Sequence, residues 1–183
     1  MEGPVLHSTD PETMKRLGVA FTPENRATEG LILRHSIQEN LTRASMRRTS
    51  RRGVRNKTAE RGLADRQIEN LDIRLSSLED PVATLSGGNQ QKVVIGNWLG
   101  DRPRLILFDE PSRGIDVNAK QQIFELIWAL SREGIASLFV STELEELLDV
   151  CDRIIVLRDG RIQTSVSPAE TSLEQLYALC MEE

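Results

Sequence analysis

The chain has 183 residues, 39% of them apolar and 28% charged, with a net charge of −5, which suits one globular domain with a real core. The acidic balance argues against bulk nucleic-acid affinity, the 4% aromatic content makes the core aliphatic, and Cys151 and Cys180 read as free thiols rather than as a disulfide framework or a metal pair. No segment reaches the length of a membrane span and MEGPVLHSTDPE has no secretory-type apolar core, so a cytoplasmic chain is expected, docking on another subunit if it works at a membrane.

In chain order, the first ten residues read as extended or irregular. PETMKRL (11–17) predicts a short helix, with Asp10 as N-cap and Pro11 in its first turn. GVAFT (18–22) predicts a strand ended by Pro23, and 23–33 a polar loop. A helical region opens at SIQENLTRASM and runs with breaks to about Leu78; it contains the strongly basic RRTSRRGVRNKTAER. Ser86 is a good N-cap for a helix carrying Val93, Val94, Ile95, Trp98 and Leu99 at helical spacing, stopped by Gly100 and Pro103. RLILF (104–108) predicts a strand buried on both faces of a parallel sheet. The helix after it is expected to turn Val117, Ile123, Phe124, Leu126, Ile127 and Leu130 inward and to end at Gly134. ASLFV (136–140) predicts a second buried strand. Ser141 or Thr142 would cap the acidic helix ELEELLDV. RIIVLRDGRIQTSV predicts two strands joined at Asp159-Gly160, and the last helix spans roughly 171–181. The alternation of strand and helix from 104 onward predicts an α/β fold, a mostly parallel sheet built from right-handed βαβ units. The helical block, about 34–100, reads as an inserted subdomain.

Two stretches carry chemistry. LSGGNQQ (85–91) places a serine and two glycines at a helix N-terminus, where backbone N–H groups and the helix dipole favour an anion. LILFDEP (105–111) carries an apolar strand out of the sheet and ends on Asp109 and Glu110, where open α/β sheets bind ligands. As strand neighbours the two carboxylates would face opposite ways. Asp109 suits Mg²⁺, directly or through water, and Glu110 suits a base that orients an attacking water. By itself LILFDEP reads more readily as a strand ending in a polar turn than as a nucleotide motif. No phosphate loop of the form G-x-x-x-x-G-K-[ST] is present: only Lys57 is followed by Ser or Thr, and Arg51 and Asn56 stand in its two glycine positions.

With SRGID (112–116) directly after LILFDEP, and LSGGNQQ one helix before it, the chain resembles the nucleotide-binding domains of ATP-binding-cassette (ABC) transporters. LSGGNQQ resembles the signature motif, LILFDEP the Walker B strand and SRGID the loop that follows it, the D-loop. Asn89-Gln90-Gln91, SRGID and GVAFTPENRATEGL (18–31) further resemble the second cassette of the fused double-cassette ATPases that drive bacterial import of ribose, galactosides and xylose. The resemblance implies a P-loop NTPase-like cassette without its first strands and phosphate loop, a single partial domain over 1–183. It also implies ATP and Mg²⁺ as ligands, head-to-tail pairing with a second cassette, and membrane-spanning permease subunits as partners at the inner face of the plasma membrane. Leu85, Ser86, Gly87, Gly88, Asn89 and Gln90 would then address a nucleotide held by the partner cassette. Asp109 and Glu110 would serve the chain's own site, with Gly114, Ile115 and Asp116 as the D-loop. Two positions depart from the general cassette pattern. Glu24 stands at the Q-loop glutamine, adding negative charge near Mg²⁺ and phosphate, and Thr142 stands at the switch histidine, offering only a neutral hydroxyl. Both weaken the expectation that Glu110 is an efficient base. A non-catalytic module that stimulates a complete cassette is the alternative. The basic segment from Arg43 to Arg61 reads as a solvated helix face or as a contact for a membrane partner or acidic headgroups. Nucleic-acid binding is not expected, since stacking aromatics are absent. His7 and His35 have no partners at ligand spacing.

Overall fold

The computed structural model describes residues 10–181, so the irregular start expected before Asp10, His7 included, lies outside the described residues. Two compact units are present, one ending at Leu138 and the other beginning at Phe139. The first contains α1 (Pro11–Arg16), β1 (Val19–Thr22), α2 (Ile37–Thr42), α3 (Met46–Thr49), β2 (Ser50–Arg51), β3 (Val54–Arg55), α4 (Lys57–Leu71), α5 (Gly87–Leu99), β4 (Leu105–Asp109), α6 (Val117–Arg132) and most of β5 (Ala136–Val140). The second contains α7 (Leu144–Val150), β6 (Ile154–Arg158), β7 (Arg161–Val166) and α8 (Leu173–Met181).

Local chemistry sets most boundaries. Asp10 caps α1 by accepting from Thr13 N at 2.9 Å. Ser36 and Glu39 form a reciprocal capping box on α2. The polar loop expected over 23–33 holds one π-helical turn, Arg26–Gly30, capped by Asn25. The basic stretch conceals the short β2–β3 hairpin. Its turn residues Arg52 and Gly53 both have positive φ, a conformation arginine rarely signals.

β1 pairs in parallel with β4, and the three-stranded sheet has the order β1-β4-β5. Ile106 and Phe108 are fully buried, whereas Leu105 and Leu107 are half-buried, so β4 is more covered on one face than the other. The expectation of a buried β5 fails more clearly: Leu138 is 51% exposed and Val140 52%. An apolar run reports that a strand is wanted by a core, not how many neighbours cover it. On α6, Ile123, Phe124, Ile127 and Leu130 are buried as expected, but Val117 is 81% exposed because it occupies the first helical position, beside the preceding loop.

The helical block has a core of Ile37, Leu41, Ala64, Leu71, Val93 and Val94 with neighbouring aliphatics. Several buried polar groups inside it are matched, although Ser45 Oγ, Gln67 Oε1 and Gln91 Nε2 have no partner among the described residues. Asn97 Oδ1 accepts from Ala44 N at 2.7 Å, and Lys92 Nζ donates to Asp72 O at 3.0 Å. Burial lowers the Lys92 pKa. Fully buried Glu60 accepts from Arg55 Nε at 2.8 Å and from Nη2 at 2.9 Å. Much of the basic segment is thus bonded within the chain: Arg43 donates to Gly30 O, Arg48 to Gly100 O, and Arg61 pairs with Asp65 and Glu79.

In the second unit, Asp159 and Gly160 both have positive φ and join β6 to β7 as the hairpin signal predicts. Ile154, Val156 and Leu176 form its core. Beside it, burial and then the Asp152 charge push the Cys151 thiol up to about 11. No helix among the described residues is long and apolar enough to cross a membrane.

Two stability predictions follow from this packing. Arg55→Ala leaves the buried Glu60 carboxylate without its fork and should cost about 2 kcal/mol in urea unfolding, while Arg61→Ala, which breaks only exposed pairs, should cost about 0.5 kcal/mol or less. Where α5 meets α6, a Cβ on Gly88 would lie 2.5 Å from Ala119 Cβ. Gly88→Ala should therefore destabilise by about 1–3 kcal/mol, and adding Ala119→Gly should recover most of that loss in the same measurement.

Candidate functional site

Thr22 stands opposite Phe108 in the parallel pair, and its buried hydroxyl donates to Leu107 O at 3.3 Å. β1 and β4 therefore end together, and the segments bearing Glu24 and Asp109 leave the sheet at one carboxyl edge. Asp109 is the half-buried last residue of β4. Glu110 has φ +47, so the chain has already left extended geometry. The alternation expected of strand neighbours does not reach it; a left-handed turn aims its carboxyl instead. A non-glycine residue there costs on the order of 1 kcal/mol, strain that clusters at functional turns.

The loop after β4 is gripped by the loop after β1. Glu24 forms an ion pair with Arg113. Arg26 Nη1 donates to Arg113 O at 2.7 Å and Nη2 to Gly114 O at 3.0 Å. Gly114 makes the turn at φ +67, and Asp116 caps α6 by accepting from Ala119 N at 2.9 Å. Glu24, expected to add bare negative charge, thus has a cation beside it.

The glycine-led helix lies next to this loop. Ser86 is the N-cap of α5: its Oγ accepts from Asn89 Nδ2 at 3.1 Å and its carbonyl from Gln90 N at 2.9 Å. Asn89 Oδ1 accepts from Arg74 N at 3.0 Å, and Gln90 Nε2 donates to Leu85 O at 3.2 Å. The amide side chains therefore brace the turn from behind. A Cβ on Gly87 would lie 2.8 Å from Arg26 Nη2, 3.2 Å from Gly114 O and 3.5 Å from Ile115 Cγ2. The structure thus brings Gly87, Gly114 and Ile115 together around Arg26. Sequence reasoning assigned no role to Arg26 or Arg113, since each is one cation in a polar loop with no periodic signal.

Thr142 lies in the second unit, between β5 and α7. It is not the cap of α7: Glu143 occupies that position, and Ser141 Oγ accepts from Glu143 N at 3.0 Å and donates to Glu146 Oε2 at 2.7 Å. Ser141 meets the first turn from two residues outside it, a geometry that short polar side chains adopt readily.

Among the described residues no group of three or more His, Cys, Asp or Glu could hold a metal ion. The donor set at the sheet edge therefore fits only an ion whose other ligands are water or phosphate, as Mg²⁺ commonly is.

The ABC transporter family model matches residues 3–113. The chain is 42% identical to ribose import ATP-binding protein RbsA 1 of Rhizobium johnstonii, covering 99% of this chain and 37% of that protein. It is 44% identical to RbsA 3 of Rubrobacter xylanophilus, over 98% of this chain and 36% of that one. The chain thus spans little more than a third of the length of these curated relatives. Among solved structures, a nucleotide-free ATP-binding cassette from an ABC transporter aligns with TM-score 0.72 at 22% identity, over 93% of this chain and 68% of the other. A dimeric cassette bound to ADP and Pi aligns with TM-score 0.69 at 22% identity, over 88% and 68%. Motif order, sheet edge and family match agree, and the chain belongs to the ATP-binding domains of ABC transporters.

Proposed function

We propose that this chain is the ATP-binding part of an ABC-type sugar importer, working against membrane-spanning permease subunits at the inner membrane face, and that its signature residues act on a nucleotide held by a second cassette. Ribose is the sugar favoured, being the one for which its relatives are named. The observation that carries the reading is the start of α5, capped by exposed Ser86 and opened by two glycines, where the first helical N–H groups have no intrahelical acceptor and a phosphate can approach closely. Leu85, Asn89 and Gln90 hold that turn in shape. The block over about 34–100 acts as the subdomain that carries it.

Asp109 and Glu110 serve this chain's own site. Asp109 would hold Mg²⁺ through water, and Glu110 would orient a water. Mg²⁺, when bound, neutralises phosphate charge. Gly114, Ile115 and Asp116 shape the D-loop, Glu24 takes the Q-loop position and Thr142 the switch position. The sequence carries no G-x-x-x-x-G-K-[ST] motif, and the role favoured for the signature turn is a contribution to hydrolysis in trans. A purely stimulatory module is the second reading, favoured by the same observation.

Nucleotide titration and phosphate release on the purified chain should show neither tight ATP binding nor turnover; turnover that depends on Glu110 would overturn the in-trans reading. Added to a complete ribose-type cassette, the chain should raise phosphate release. Ser86→Arg should abolish that gain. Glu110→Gln should leave it intact if the chain is purely stimulatory and should lower it if this chain's own site also turns over.

A further inference from the structure

Two loops meet at the carboxyl edge of the sheet, and one of them holds the other at two kinds of group. Glu24 pairs with the side chain of Arg113, while Arg26 takes the backbone carbonyls of Arg113 and Gly114. Both contacts issue from three consecutive residues, Glu24-Asn25-Arg26, and Asn25 fixes their turn by accepting from Thr28 N at 3.3 Å. A guanidinium is a planar fork, so two acceptors set its plane as well as its position. Here the fork is half-buried: Nε is sealed from solvent with no acceptor among the described residues, while the Nη atoms reach the carbonyls. That burial lowers the Arg26 pKa. The two carbonyls offset the lost hydration, so drift of the loop over 113–114 away from Arg26 would take acceptors from a partly desolvated cation. The same Nη2 stands 2.8 Å from the place where a Cβ on Gly87 would sit. Gly87 therefore packs against the fork, and a side chain there would displace Arg26 from its carbonyls as well as crowd any phosphate.

We infer that Arg26 is a positioning residue: its fork, with the Glu24–Arg113 ion pair as a second point, clasps the 113–114 loop and sets the place of Gly87 at the start of α5. The clasp stands on contacts alone; its effect on hydrolysis rests on the function proposed above. Shifting the 113–114 loop then shifts the phosphate-facing turn, which links the Q-loop and D-loop positions to the signature within one chain.

Hydrogen exchange on the full chain tests the clasp without any partner. Arg26→Gln should speed exchange of amides in both 86–89 and 112–116 by about tenfold, the loss expected for one charged hydrogen bond, with α2 and α4 unchanged. Arg26→Lys, which keeps one donor direction, should give a smaller increase in both loops, and it carries the test if the glutamine variant does not fold. Glu24→Arg and Arg113→Glu should each speed 112–116, and the double swap should restore it. Faster exchange in 112–116 alone, or in neither loop, overturns the proposal. In mixtures with a complete cassette, Arg26→Gln should lower the maximal rate and leave the half-stimulating concentration of this chain unchanged. A change only in that concentration overturns positioning in favour of docking. If the wild-type chain gives no stimulation, the proposed function falls while the exchange result still decides the clasp.

Discussion

The constraint on which the site depends is the register that sets Thr22 against Phe108. It is held from within: Ile106 and Phe108 are fully buried, each contributing about 1.5–3 kcal/mol from apolar burial. A slip of one residue would turn both outward, so the register is strongly specified. Everything at the carboxyl edge inherits that choice. The exits of β1 and β4 lie side by side, the loop bearing Glu24 and Arg26 reaches the loop bearing Arg113 and Gly114, and Glu110 turns out of the sheet at a strained φ.

A second set of constraints holds α5. Its buried face is aliphatic, but its direction is set by polar contacts that have one geometry. Asn97 ties it to the backbone at Ala44, Lys92 to the left-handed residue Asp72, and the carbonyl of Gly100 receives Arg48. These contacts replace the lost water only in the native arrangement, so together they specify orientation more than they add stability. The glycines of α5 complete this, with Gly88 close against Ala119 and Gly96 against Leu41 and Leu71. The helix is thereby held from behind while its N-cap, Ser86, stays exposed.

The basic segment shows how a charge run misleads when read alone. Arginines 43 and 48 cap carbonyls, and Arg55 and Arg61 pair with carboxylates. In the sequence most of these partners lie off any helical spacing, up to 52 positions away, and only Arg61–Asp65 falls four residues apart on one helix. The short β2–β3 hairpin was hidden for a related reason: its turn sets Arg52 beside Gly53 at positive φ, and arginine does not mark a turn.

Features that depend on near neighbours in the chain were legible in the sequence. Ser86, Asp10 and Asp116 each accept from an N–H three residues on, Asp159-Gly160 turns because both residues tolerate positive φ, and RLILF had to be a strand because its apolar run is short and bounded by turns. The motif order LSGGNQQ, LILFDEP, SRGID made the family legible for the same reason, since each motif is a local geometry. Features that depend on distant residues were set by the packing of the fold. It left β5 exposed and Val117 in solvent, put Glu143 rather than Thr142 at the start of α7, and set Glu24 beside Arg113. Arg26 was legible to neither composition nor periodicity, because its acceptors lie 87 and 88 residues away. Local hydrogen bonds are written in short spacings, whereas a cation's partner is chosen by where the sheet brings two loop ends together.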